Sequence, residues 1–266
     1  MAVDVKAQLQ KKANGTVKLD KDMSIVEMVQ AMEPEIKRAL PTVLTPERFT
    51  RMAISAINNT PELRKCTPLS FIAALMNAAQ LGLEPNTPLG QAYLIPYNNK
   101  SKGTVECQFQ LGYKGMIDLA YRTNQVQIIQ AQVVREYDKF EYQYGLNSDL
   151  VHIPATDDRG EITYIYGLFK LTNGGYGFEV SSKGDMEVFA EKYSKTSGSR
   201  YSPWSTNFED MAKKTVIKRA LKYAPISADF QKALSMDESV KTELSVDMSE
   251  VRNEVIEDID EPEIIG

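Results

Sequence analysis

Histidine, cysteine and tryptophan are almost missing from this chain of 266 residues, which holds one His, two Cys and one Trp. A lone histidine cannot build a His-rich metal site. His152 also lies in an alternating apolar run, so it is read as a sheet residue rather than a catalytic base. Cys66 and Cys107 are too few and too far apart for a disulfide framework or a zinc site, and their apolar neighbours predict buried structural thiols. No Gly-x-x-x-x-Gly-Lys-[Ser/Thr] phosphate loop and no Gly-x-Ser-x-Gly elbow occurs. The nearest glycine-rich stretch, Asn173-Gly174-Gly175-Tyr176-Gly177, sits between two strand patterns and is explained as a hairpin turn. A metal-dependent nuclease needs clustered carboxylates with a lysine. The closest approaches are Glu35-Ile36-Lys37 in a helical pattern and Asp157-Asp158 in a turn. There is no apolar run of about 18 residues, and the polar stretch 1–22 has no apolar h-region. Neither a membrane span nor a signal peptide is expected, and the chain is read as soluble and intracellular. These absences favour a binding protein over an enzyme.

What is present is charge, unevenly placed. The whole chain carries a net charge of −5, but residues 237–266 hold eleven acids and two bases, a net of −9. The other 236 residues therefore hold 25 acids and 29 bases, a net of +4. Such asymmetry suits a polyanion-binding body with an acidic tail. High charge without aromatics beyond residue 237 predicts disorder, with solubility as the simplest role and competition with nucleic acid as a sharper one.

The periodicity divides the chain. Residues 1–22 read as a flexible arm. Helical patterns follow over 24–40, over 46–58 with Thr45 as N-cap and Pro46 at N1, and over 68–81, closed by Gly82, so 23–82 reads as a helical bundle. The period then changes. Strands are predicted over Gln91–Tyr97, Thr104–Gln110, Val126–Arg135, Phe140–Tyr144, Leu150–Ile153, Ile162–Leu171 and Tyr176–Ser181. Helices are predicted over Tyr113–Arg122, Asp185–Tyr193 and 209–223. The fold class is α+β: a helical bundle, a small central antiparallel sheet flanked by helices (83–236), and a disordered acidic tail from 237. The body from 23 to 236 is read as one DNA-binding domain.

The helix 209–223 holds two acids at its start and a run of cations after them, in the order the helix dipole favours. Val216, Ile217, Ala220 and Leu221 share an apolar face; Lys214, Lys218 and Lys222 form a stripe at i, i+4, i+8, with Arg219 further round. Lys213 falls inside the apolar face, where a cation is costly unless paired. A stripe of cations can follow a row of phosphates, although for a charge run taken alone a solvated surface face is the simpler reading. The loop 194–207 adds Lys195, Arg200, Tyr201 and Trp204, the mixture of cations and rings that single-strand binding requires. For Trp204, packing as a core anchor competes with base stacking. The hairpin tip (Lys100, Lys102) and the helix carrying Tyr113, Lys114 and Arg122 repeat the theme more weakly.

Three segments, taken together, resemble a known family. Cys66-Thr-Pro-Leu-Ser-Phe-Ile-Ala-Ala-Leu-Met-Asn-Ala-Ala-Gln-Leu-Gly-Leu-Glu-Pro85 leads into Leu89-Gly-Gln-Ala-Tyr-Leu-Ile-Pro-Tyr97. Cys107-Gln-Phe-Gln-Leu-Gly-Tyr-Lys-Gly-Met-Ile-Asp-Leu-Ala-Tyr-Arg122 and Ala212-Lys-Lys-Thr-Val-Ile-Lys-Arg-Ala-Leu-Lys222 follow. In this order and spacing, over about residues 25–230, they resemble the RecT family of phage-encoded single-strand annealing proteins, similar in function to Red beta. The resemblance implies an ATP-independent recombinase of the bacterial cytoplasm. Such a protein binds single-stranded DNA and its annealed duplex, and assembles into rings or helical filaments. It works with a phage exonuclease and a host single-strand-binding protein. No cofactor is expected, with Mg2+ entering only as a modulator of DNA binding. Contacts should go mostly to phosphate, leaving the base edges free to pair. A coating protein without annealing activity and a metal-dependent nuclease stand as the alternatives.

Overall fold

The computed structural model describes residues 23–99, 102–193, 203–224, 228–245, 247–254 and 259–260. The described residues fall into two compact units, 23–119 with those from 228 onward, and 120–224.

In the first unit, Ser24 opens α1 (Ile25–Ala31) with a reciprocal cap. Its hydroxyl accepts the Glu27 N–H at 3.3 Å, and the Glu27 carboxylate accepts the Ser24 N–H at 2.7 Å. The helix predicted over 24–40 is divided into α1 and α2 (Glu33–Ala39), because Pro34 has no N–H to give and fits only the first turn of a new helix. Thr45 caps α3 (Pro46–Asn59) through the Arg48 N–H at 3.3 Å. A 3-10 turn (Pro61–Lys65) leads to α4 (Pro68–Leu81), which is apolar all round and buried along almost its whole length. It ends where Gly82 takes a left-handed φ of 59°. Strands β1 (Ala92–Asn99) and β2 (Thr104–Leu111) pair antiparallel from Ala92↔Leu111 to Asn99↔Thr104. Phe71 and Leu75 of α4 join Phe49, Ile57, Leu94, Phe109 and Leu111 in the core. Cys66 bridges to Val105, and the Cys107 N–H donates to Ser70 Oγ at 2.9 Å. Both thiols are buried and free, and burial together with the neighbouring Cys66 pushes the Cys107 thiol well up. The helix α5 (Tyr113–Arg122) begins in this unit and carries the chain into the second.

The stretch from residue 237, read from composition as a disordered tail, is packed through residue 254. After α9 (Ala228–Ser235), Ser239 exchanges both backbone bonds with Phe109, at 2.9 and 3.2 Å. Asp237 Oδ1 accepts the Leu111 N–H at 2.8 Å. Val240, Met248 and Val251 are buried, and a short strand β8 (Ile259–Asp260) pairs with β1. The physical reason is spacing: scattered apolar residues among the acids suffice to seat the segment on a sheet that already offers a partner. Residues 255–258 and 261–266 lie outside the described residues, as does the arm 1–22.

The second unit holds β3 (Val126–Arg135), β4 (Lys139–Gln143), β5 (Asp149–Ile153), β6 (Ile162–Leu171) and β7 (Tyr176–Ser182). The predicted single meander is replaced by a sheet ordered β3-β6-β7, with β4 and β5 as a separate antiparallel ribbon. Alternation identifies strands but not their partners; the ten-residue β3 finds its match in the ten-residue β6, and the five-residue strands pair with each other. Helices α6 (Lys183–Tyr193), α7 (Pro203–Thr206) and α8 (Phe208–Leu221) complete the unit. Val133 and Ile165 pack against Ala212 and Val216 of α8. Among the described residues, no helix is long and apolar enough to cross a membrane.

The backbone of α8 comes close against the sheet at Gly167. A Cβ there would lie 2.9 Å from the Val216 carbonyl carbon and 2.9 Å from the Ile217 nitrogen, both backbone atoms that cannot swing aside. Gly167→Ala is expected to destabilise the protein by about 1–3 kcal/mol in urea unfolding. Gly184→Ala, where only the Ser182 hydroxyl approaches, at 4.0 Å, should be neutral or stabilising.

Candidate nucleic-acid interface

In the first unit the candidates lie on the β1–β2 hairpin and at the start of α5. Lys102 follows the hairpin loop, and its ammonium is already paired. It lies 3.5 Å from Glu106 Oε1 and also binds the Glu254 carboxylate. Tyr113 is half-buried against the core, whereas Lys114 is exposed. A Cβ placed on Gly90 would lie 3.1 Å from the Tyr93 hydroxyl and 3.6 Å from Lys114 Cδ, so a lysine and a 40% exposed tyrosine flank the same backbone turn. The turn is held close because Gly112 and Gly115 lie directly against the backbone of Gly90 and Gln91. Tyr93 was not among the sequence candidates. Its place in an alternating strand, opposite the buried positions, was the signal that could have found it.

In the second unit the structure corrects the reading of α8. The helix is covered around most of its circumference, with Ala212, Lys214, Thr215, Val216, Ile217, Ala220 and Leu221 all buried. Lys214, predicted at the head of an exposed stripe, is therefore inside, and Lys218 is half-buried; neither is without a partner. The two-sided amphipathic reading failed because the whole sheet β3-β6-β7 and the neighbouring α7 touch this helix. Lys213 meets the condition that the sequence set for it: its ammonium lies 3.6 Å from Glu209, one turn earlier, and Glu209 also pairs with Arg135 at 2.8 Å. The Arg219 guanidinium sits 4.7 Å above the Phe189 ring. Arg122 is half-buried and engaged. Lys222 is exposed beside Tyr223, which is 79% exposed.

Trp204 is a core anchor rather than an exposed stacking ring. The indole lies edge-on to Phe189 and Phe208 at 6.1 and 6.0 Å and is buried with Met186 and Ala190. Lys100, Lys195, Arg200 and Tyr201 lie outside the described residues.

These features leave an exposed lysine and an exposed tyrosine in each unit, on a chain whose sequence matches known proteins. Residues 47–255 match the sequence model of the RecT family. Over 247 residues the chain is 38% identical to Protein RecT of Escherichia coli (strain K12), covering 91% of this chain and 90% of that one. The chain belongs to the RecT family. It is also 29% identical over 211 residues to the uncharacterized protein YqaK of Bacillus subtilis (strain 168), covering 79% and 70% of the two chains. Membership of the RecT family makes it a single-strand annealing protein of DNA recombination.

The second unit of this RecT-family chain also contains a polar cluster that residue spacing did not reveal. The Asp138 carboxylate is fully buried and accepts from Arg159 Nε at 2.9 Å and Nη2 at 2.6 Å, and from the backbone N–H groups of Arg135 (2.8 Å) and Ala155 (2.9 Å). His152 Nε2 lies 3.0 Å from it, and His152 Nδ1 lies 3.2 Å from the Tyr166 hydroxyl. An ionised carboxylate only accepts, so Nε2 carries a proton and donates to Asp138, while Nδ1 shares a hydrogen bond with the phenol. With both ring nitrogens engaged, His152 has no free base to offer and serves to hold the β4–β5 ribbon. Phe140 continues the attachment, with its ring 5.7 Å from Tyr166 and 5.6 Å from Tyr164. Tyr142 and Tyr144 extend the row to Phe178.

The Arg159 guanidinium, above all, holds the Asp138 carboxyl far below the ordinary range against the burial that would raise it; the two N–H groups and His152 add to this. A depressed carboxyl stabilises the fold fully above its unfolded value of about 3.9, and the gain disappears as pH falls below that value. Urea midpoints between pH 3 and 7 should therefore fall more steeply with acidification in the wild type than in Asp138→Asn. The variant should be weaker at neutral pH, because Arg159 then lacks a counter-charge.

Proposed function

We propose that this chain binds single-stranded DNA through phosphate contacts and anneals complementary strands without ATP as an oligomeric ring or filament in the cytoplasm. What supports the reading beyond family membership is Lys114 and Tyr93 flanking the Gly90 turn in one unit, and Lys222 and Tyr223 exposed in succession at the end of α8 in the other. A lysine ammonium is a point charge that grips any phosphate, and a neighbouring ring offers a face to any base. Such contacts carry little sequence information and leave Watson–Crick edges available for a second strand. Arg219 and Lys218 are retained as contributors at the flank of α8. Lys214 is not, because its burial removes it from a phosphate's reach. An exonuclease and a host single-strand-binding protein are the proposed partners, and Mg2+ is proposed only as a modulator.

The test is nucleotide-free annealing of complementary labelled oligonucleotides followed by fluorescence, with electron microscopy of the same sample. Annealing together with rings or filaments is expected. Coating without pairing would point to a passive binding protein, and Mg2+-dependent loss of label to a nuclease. Replacing Lys114 and Lys222 together by Ala should weaken single-strand binding for all sequences alike. The log–log salt slope should become shallower by about 0.7 for each phosphate left without its lysine. Affinity and slope equal to wild type would remove these lysines from the interface.

A further inference from the structure

The C-terminal segment of the first unit reaches Lys102 of the β1–β2 hairpin and neutralises it. From Asp237 to Val251 the chain is anchored by the Ser239–Phe109 backbone pair, by Asn77 Nδ2 donating to Ser239 Oγ at 3.3 Å, and by the Met248 N–H donating to Gln80 Oε1 at 2.9 Å. The Glu254 N–H then donates to the Val240 carbonyl at 2.9 Å, and the Thr242 hydroxyl binds Glu254 Oε1. These bonds aim the other carboxylate oxygen, Oε2, at Lys102. On its far side Lys102 meets Glu106, which is buried and accepts from Asn99 Nδ2 at 3.1 Å. One lysine is thus bracketed by two carboxylates, a local excess of negative charge where an approaching phosphate would need a cation. Independently, β8 pairs antiparallel with β1 at Asn98↔Asp260 and Asn99↔Ile259, so the backbone beyond Glu254 returns to the strand that leads into the same hairpin. Between residues 254 and 263 the sequence supplies Glu254, Glu257, Asp258, Asp260, Glu261 and Glu263 against no base.

We propose that Glu254, held in the packed C-terminal segment, is a built-in competitor for single-stranded DNA: it occupies Lys102 and must be displaced before this lysine takes a phosphate. The proposal rests on the reading of this chain as a single-strand binder. An anion tethered beside its target competes intramolecularly, at an effective concentration set by the geometry that holds it there. The exchange also has a distinctive salt signature. DNA displacing Glu254 releases a counterion from the strand but leaves a bare carboxylate that recruits one back, so this contact contributes almost nothing to the salt slope.

The experiment is anisotropy titration of a labelled oligo-dT with full-length protein across a salt series. It compares wild type, Glu254→Gln, Lys102→Ala, the double variant, and a variant with Glu254, Glu257, Asp258, Asp260, Glu261 and Glu263 all changed to their amides. Glu254→Gln should bind about three- to tenfold more tightly at low salt, with a slope steeper by about 0.7, and the six-site variant should gain more. In the Lys102→Ala background the Glu254 change should have no effect. Equal affinity of wild type and Glu254→Gln, or an equal gain with Lys102 absent, overturns the competition while leaving DNA binding intact. Failure of every variant, the six-site one included, to bind oligo-dT overturns the single-strand reading and this proposal with it. Unchanged circular dichroism melts show that the substitutions act on charge rather than on folding.

Discussion

The arrangement of the second unit depends on how near a helix can come to a sheet. With a hydrogen in place of a side chain at Gly167, the backbone of α8 settles almost onto β6. At that distance the sheet reaches around the helix, and residues on its flanks are enclosed along with those on its apolar face. The burial of Lys214 and the confinement of exposed positive charge to the Lys222 end are consequences of this approach. So is the inward turn of Trp204, which fills the space beside the helix with Phe189 and Phe208. A sequence that looks like a basic ribbon is, in three dimensions, a buried strut with its charges tied off by Glu209 and by the Phe189 ring.

Much of the secondary structure was legible in the sequence alone, because local signals decide it. Thr45 caps one helix, Pro68 stands in the first turn of the next and Gly82 closes it, and β3, β6 and α5 begin and end where the periodicity places them. What was not legible depends on interactions between residues far apart in sequence. The partner of β3 lies across the inserted ribbon, and the depth at which Lys214 sits is set by a glycine on β6, a strand distant along the chain. The Asp138 cluster draws on turns, strands and loops that no short motif spans. Of the candidate interface, Lys114 and Lys222 stood in the sequence reading, but Tyr93 and Tyr223 became visible only once burial was known.

The C-terminal segment shows the limit of composition as a guide. Its charge density is that of a chain too polar to form its own core, and it forms none. It borrows one: Val240, Met248 and Val251 are buried in the first unit, and Ser239 completes bonds that Phe109 would otherwise leave open. Its acids are then presented from a fixed platform, with Asp237 satisfying the Leu111 N–H and Lys232 pairing with Asp247. A tail that is merely solubilising has no need of such anchorage.

The enclosed thiols make site-directed labelling straightforward. Maleimides and disulfide reagents attack thiolates that they can reach. Cys107 is sealed from solvent and held in its protonated form, and Cys66 lies beside it under the same cover. The native chain is therefore chemically silent toward such reagents while folded. A single cysteine introduced on the surface would carry a fluorophore or spin label without removal of the natural pair, leaving the core intact in every labelled variant.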